Sequence, residues 1–149
     1  MALNILITED NPADAKITLR AFEKSAIKNN LFLVTKPDEV FDFICNRARF
    51  QDSEKFPKPD IILLDIKMPA RDGFGVLKQL KDYAESESIP VIMLTSSKDE
   101  NDIIQSYKNG AAGYIQKDVD FNRFCEIIDT FNKYWHTVSR LPAADNHRF

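Results

Sequence analysis

The sequence predicts a doubly wound α/β domain, with a five-stranded parallel sheet and five helices covering its two faces. Short, branched apolar runs recur along the chain, and amphipathic stretches of helical period separate them. Each run stops abruptly at a polar residue instead of entering a tight hairpin turn, so the strands should be joined by helical crossovers. At 149 residues and 44% hydrophobic, the chain suits one core better than two.

Leu3 to Thr8 is the first strand, and Glu9-Asp10-Asn11-Pro12 follows at once, with Asn11 placed as helix cap and Pro12 as first helical residue. Ala15, Leu19, Phe22 and Ala26 then share a helix face until Lys28-Asn29-Asn30 ends the pattern. Leu31 to Thr35 is the second strand. Pro37 opens a helix with Val40, Phe41, Ile44 and Ala48 on one side, and the proline-bearing stretch from Gln51 to Pro59 forms the longest loop. Asp60 to Asp65 contains Ile61-Ile62-Leu63-Leu64, apolar on both faces as a central parallel strand must be, and it ends in a carboxylate.

Lys67 to Gly73 is a loop leading to a helix marked by Val76, Leu77 and Leu80. Pro90 introduces Val91-Ile92-Met93-Leu94, which stops at Thr95-Ser96-Ser97. Asp99 to Asn109 is expected to be helical with Ile103, Ile104 and Tyr107 facing inward, and Gly110 and Gly113 flank its exit. Tyr114-Ile115-Gln116 is the fifth strand, ending at Lys117. The last helix carries Phe124, Ile127, Ile128, Phe131, Trp135 and Val138 on one stripe, which reads most simply as core, the fifth helix covering the sheet. Beyond Tyr134 the helix should outrun the sheet, and the second reading is that Trp135 and Val138 are exposed apolar groups open to a partner.

Lysine and arginine number 20 against 23 aspartates and glutamates, so no broad positive field attracts nucleic acid. There is no apolar run of membrane-spanning length and no basic leader with a cleavage site, which points to the cytoplasm. Cys45 and Cys125, beside Ile44 and Phe124, read as reduced, partly buried thiols. His136 and His147 lack partners at ligand spacing and read as surface residues.

The strand ends carry the chemistry, because ligands of such sheets bind beyond the carboxyl ends of the strands. Glu9-Asp10 ends the first strand, Asp65 the third, Thr95 the fourth and Lys117 the fifth. Crowded carboxylates repel one another unless a cation takes up the charge. Mg2+ fits, since it needs only one or two carboxylates besides water and phosphate oxygens, and leaves Asp65 free as a nucleophile. Thr95 can offer a hydroxyl and Lys117 an ammonium to phosphoryl oxygens.

Glu9-Asp10, Asp65 with Met68-Pro69 and Asp72-Gly73, Thr95-Ser96 and Lys117 together resemble the receiver domain of two-component response regulators. The resemblance covers about residues 1–133 and leaves 134–149 as a helix extension and tail. It implies the flavodoxin-like strand order 2-1-3-4-5, Mg2+ ligation by Glu9, Asp10, Asp65 and the backbone carbonyl of Lys67, and phosphorylation of Asp65 by a histidine kinase. It also implies a switch formed by Thr95 and Tyr114. The long loop before Pro59 and the ending Tyr134-Trp135 look most like the single-domain response regulators of bacterial phytochrome-type kinases. One departure is Asp118, where many receivers have proline after the lysine; a trans bond is expected there.

Rival functions fit less well. A flavodoxin-like electron carrier needs a hydroxyl-rich first loop for the flavin phosphate, which Glu9-Asp10 would repel. Neither G-x-G-x-x-G nor a Walker lysine motif is present for a nucleotide enzyme. An aspartyl phosphatase would carry a second aspartate where Lys67 stands, so slow self-dephosphorylation is expected in place of turnover. The remaining alternative is a phosphorylation-independent adaptor of the same fold. A homodimer through the overlong last helix is also expected.

Overall fold

Parallel strands buried on both faces lose contact with water entirely, so their apolar side chains must alternate between two cores. The computed structural model describes residues 2–68, 71–117, 119–138 and 141–142, without the side chains of residues 71 and 138. Pro69, Asp118, His147 and the side chain of Val138 therefore lie outside the described residues.

The order is β1 (Asn4–Thr8), α1 (Pro12–Lys24), β2 (Asn30–Val34), α2 (Pro37–Ile44), β3 (Ile61–Leu64), α3 (Gly73–Asp82), β4 (Val91–Thr95), α4 (Glu100–Lys108), β5 (Gly113–Gln116) and α5 (Phe121–Lys133). The five strands are parallel in the order β2-β1-β3-β4-β5, as expected. Ile5, Ile7, Ile61, Leu63, Ile92 and Leu94 face Phe22 of α1 and Phe124, Ile128 and Phe131 of α5. Leu6, Ile62, Leu64, Val91 and Met93 face the other way, against α2 and Val76, Leu77 and Leu80 of α3.

Helix starts follow their caps. Asn11 accepts from the amides of Ala13 and Asp14, with Pro12 first in α1, and Asp72, Asp99 and Asp120 cap α3, α4 and α5. Several side chains depart from the expected stripes. Ala26 is exposed because α1 stops at Lys24, and Thr18 and Ala21 are buried in its place. Ala48 falls outside α2, in a short turn at φ 54°, and is exposed. In α4 only Ser106 is buried, whereas Ile104 and Tyr107 are 43% and 52% exposed. The expected inward face of α4 is therefore corrected: this helix lies loosely on the sheet, with Ile103 half-buried and Ile104 and Tyr107 turned outward.

The described residues after α5 are anchored to the core. After Lys133 the backbone widens into a π-helical turn, Tyr134–Val138. Trp135 is half-buried, 6.4 Å from Phe131 between ring centres, and packs with Leu141 on the core. His136 is half-buried instead of on the surface, because its Nε2 lies 2.7 Å from Asn29 Oδ1. That contact starts a chain of hydrogen bonds. Asn29 donates to Asn132 at 2.7 Å, Asn132 to Ser25 at 2.9 Å, and Ser25 to Asp129 at 2.6 Å. Both cysteines are free and half-buried, as expected.

Asn132 is fully buried at the middle of this chain. Asn132→Ala leaves Asn29 and Ser25 each short of a partner and is expected to cost about 1–3 kcal/mol. A lowered urea midpoint with unchanged slope checks this; an unchanged midpoint would show that water replaces the amide.

Candidate functional site

All five strands run parallel, so their carboxyl ends open on one side, and the polar residues that stop them meet there. Glu9, Asp10, Asp14, Asp65, Thr95 and Lys117 line a cleft of about 910 Å3, with Lys67, Met68, Asp72 and Phe74 along the neighbouring wall. Asp65 follows directly on β3, the central strand, and is 8% exposed; Glu9 is 4% exposed. Lys67 N donates to Asp65 Oδ1 at 3.3 Å and Asn11 N to Glu9 Oε2 at 3.2 Å, which orients both carboxylates.

Lys117 reaches between them. Its Nζ donates to Glu9 Oε1 at 2.5 Å and to Asp65 Oδ2 at 3.1 Å, and lies 3.5 Å from Asp14 Oδ2. The backbone amide of Lys117 donates to Thr95 O at 2.8 Å, so β4 sets the lysine's height above the sheet. Close approach fixes the opposite wall. Gly73 N donates to Ile66 O at 2.8 Å, and a Cβ on Gly73 would stand 2.3 Å from the carbonyl oxygen of Asp65. Only glycine lets α3 begin this near the aspartate.

Burial is the largest influence on Glu9 and raises its carboxyl above the ordinary value, against the lowering effect of Lys117. Burial also works downward on the Lys117 ammonium. Its hydrogen bond to Glu9 and the charges of Asp65 and Glu9 outweigh that and hold the amine above ordinary lysine.

A divalent cation suits this donor set on the same ground. Glu9 and Asp65 already share one cationic group, the ammonium of Lys117. Among the described residues no group of three histidine, cysteine or acidic side chains is tight enough to cage a metal unaided. A hard ion that keeps most of its water, such as Mg2+, fits such a half-open site better than zinc does.

Ser97 is the residue that sequence reasoning missed: in the sequence it only closes the polar stop Thr95-Ser96-Ser97, and Asp99, not Ser97, caps α4. In the fold Ser97 N donates to Thr95 Oγ1 at 3.3 Å, Ser97 Oγ donates to Asp102 of α4 at 2.6 Å, and Ser97 O accepts from Tyr114 OH at 2.9 Å. Thr95 and Tyr114, both singled out in the sequence, are thus joined through one serine. Burial, the largest influence on the Tyr114 phenol, raises its pKa. Asp14 was missed as well; its position in the first turn of α1 hides it among ordinary helix-start acids.

The folded chain holds the Glu9 proton more tightly than an unfolded chain would, because its carboxyl titrates above 4.5. The associated stability is fully present below that value and is lost as pH rises through the raised one. Glu9→Gln does not suffer this loss. In metal-free buffer its urea midpoint relative to wild type is expected to climb as pH rises from 4.5 toward neutrality. A flat or falling difference would contradict the burial argument.

Comparison with known proteins agrees with the geometry. The family model described as "Response regulator receiver domain" matches residues 5–129. Response regulator Rcp1 of Synechocystis sp. is 29% identical over 140 residues, 94% of this chain and 93% of its own length. The crystal structure of RPA3017, a response regulator in red light signalling of R. palustris, superposes with a TM-score of 0.89 at 29% identity, covering 95% of this chain and 99% of that one. The phosphorylated cyanobacterial phytochrome response regulator RcpA superposes at 0.85 and 27% identity, covering 96% and 100%. The matched stretch runs from β1 into α5 and takes in every strand end of the cleft, and on that ground the chain belongs to the receiver domain family of two-component response regulators.

Proposed function

We propose that this chain is the phosphoacceptor of a two-component phosphorelay, in which Asp65 takes a phosphoryl group from the phosphohistidine of a histidine kinase. The carrying observation is Asp65 itself: a carboxylate at the end of the central strand, open to a cleft and 3.1 Å from the Lys117 ammonium. One Asp65 oxygen attacks phosphorus as the P–N bond breaks, the bonding pair stays with the departing imidazole, and an acyl phosphate remains on Asp65. Glu9, Asp10, Asp65 and the backbone carbonyl of Lys67 would hold Mg2+, which when bound neutralises charge on the phosphoryl oxygens. Lys117 and the hydroxyl of Thr95 donate to those same oxygens. A divalent cation here gains support from Rcp1, which has been crystallised in a Mn2+-bound form.

The donor we propose is a histidine kinase of phytochrome type or a hybrid kinase, the phytochrome type by analogy with RcpA. Residues 1–133 would form the receiver and 134–149 an extension, with self-dephosphorylation slow and no outside substrate. Among the described residues no helix is long and apolar enough to cross a membrane, which accords with a cytoplasmic setting.

Output would pass through the face of α4, β5 and α5. Ile104 is exposed on α4, and the exposed Tyr107 and Tyr134 border a groove of about 600 Å3 lined by Tyr114, Ile127 and Trp135 among others. Charge on Asp65 would draw Thr95 inward and bias Tyr114 through Ser97, altering this face and a homodimer formed on it. A phosphorylation-independent adaptor is the second reading, favoured by one observation: Tyr114 already holds Ser97 in the unmodified chain.

Incubation with a small phosphodonor and Mg2+ is expected to give a hydroxylamine-sensitive label that borohydride trapping and mass spectrometry assign to Asp65. EDTA and Asp65→Asn should each abolish it. Label persisting in the variant would move the acceptor elsewhere.

Sedimentation velocity with and without beryllofluoride separates the two readings of output. A shift toward dimer on adduct formation, weakened by Trp135→Ala, is expected. A monomer in both states removes the dimer, and an equal dimer in both favours the adaptor.

A further inference from the structure

Three carboxylates surround the Lys117 ammonium, and they are not equivalent. Glu9 and Asp65 side chains are 5% and 11% exposed and hold Nζ at 2.5 and 3.1 Å, whereas Asp14 is 46% exposed and stands at 3.5 Å. Asp14 lies in the first turn of α1, with its backbone amide held at 3.1 Å by the side chain of Asn11, so the helix fixes where its carboxylate starts. Its outward reach is free. Glu9, by contrast, is buried and held on both oxygens, Oε1 by Lys117 at 2.5 Å and Oε2 by the amide of Asn11 at 3.2 Å.

This arrangement sets a conflict on the phosphoryl-transfer reading. A divalent ion at Glu9 would compete with the ammonium for the same carboxylate charge, because two cations brought to one carboxylate repel strongly in a partly buried site. Lys117 must therefore loosen from Glu9 when metal is loaded, and a buried ammonium that gives up a carboxylate needs another partner. Asp14 is the one carboxylate in contact with Lys117 that the metal set does not claim. We infer that Asp14 is a positioning residue that accepts Lys117 when Glu9 turns to the cation, and so supports metal loading without itself ligating metal. This inference rests on the phosphoryl-transfer reading of the cleft.

The competing account is that Asp14 merely adds negative charge to the cleft or favours the start of α1. The two differ in whether Lys117 is required. Mg2+ binding is measured by isothermal titration calorimetry on wild type, Asp14→Asn, Asp14→Glu, Lys117→Gln and the Asp14→Asn, Lys117→Gln double variant, with urea midpoints in metal-free buffer as the folding control. Asp14→Asn is expected to weaken binding about two- to fivefold, the range of a partly exposed ion pair. Asp14→Glu should recover most of it. In the Lys117→Gln background the same Asp14→Asn change should have no effect, the coupling that a double-mutant cycle isolates. Equal weakening in both backgrounds would assign Asp14 to the general field and overturn the proposal, as would no weakening in either. Absence of Mg2+ binding by folded wild type would instead sink the phosphoryl-transfer reading and take this inference with it.

Discussion

Lys117 keeps Glu9 and Asp65 from facing each other bare at the end of an apolar sheet. Two buried carboxylates that share one ammonium repel each other, and a buried charge without a partner costs several kcal/mol. The ammonium, held at 2.5 and 3.1 Å, settles that conflict, and much of the surrounding structure exists to bring it there. β4 sets the height of the lysine through the bond from Lys117 N to Thr95 O. β3 delivers Asp65 because Ile61–Leu64 is buried on both faces, and a slip of one residue would exchange the two cores. Gly73 then allows α3 to close on the carbonyl of Asp65.

A site held together by an internal cation is poised differently from one left open. Burial raises the Glu9 carboxyl in spite of Lys117, whereas burial of the Lys117 ammonium is outweighed by its carboxylate partners, so the contact favours the ammonium more than the carboxylate. A stronger cation at Glu9 would act on the side of the pair that Lys117 compensates least.

What was legible in the sequence follows from the same physics. The five strands and the residues ending them could be read directly, because strands buried on both faces are short, branched and unambiguous, and a polar residue at the end of each has little reason to be there unless it meets others. The failures lie where packing is partial. Ile104 and Tyr107 follow helical spacing and were expected inward, yet α4 buries only Ser106, and periodicity cannot tell a core face from an exposed apolar one. Ala26 and Ala48 continued their patterns past helix ends that Lys24 and Ile44 had already set. His136 was misjudged because its partner, Asn29, is far away in sequence, whereas Trp135 packs on Phe131 as their shared stripe suggests and only the π-helical widening after Lys133 goes unannounced by spacing.

The looseness of α4 has a physical consequence for signalling. A helix that contributes one buried residue to the core can shift at little cost in packing, whereas α1 and α5, tied by Ser25, Asn132 and Asp129 as well as by Phe22 and Phe131, cannot. Ser97 joins that movable helix, through Asp102, to both Thr95 and Tyr114. A pull on Thr95 would therefore be felt at the first turn of α4 and at the Tyr114 hydroxyl together, since both are bonded to the same residue. Two bonds to one serine make a concerted change cheaper than two independent ones, which is what an element with two discrete arrangements requires. The exposed Ile104 and Tyr107 lie on the helix that such a change would move, so a rearrangement beginning at a buried threonine has an apolar surface through which a partner can read it.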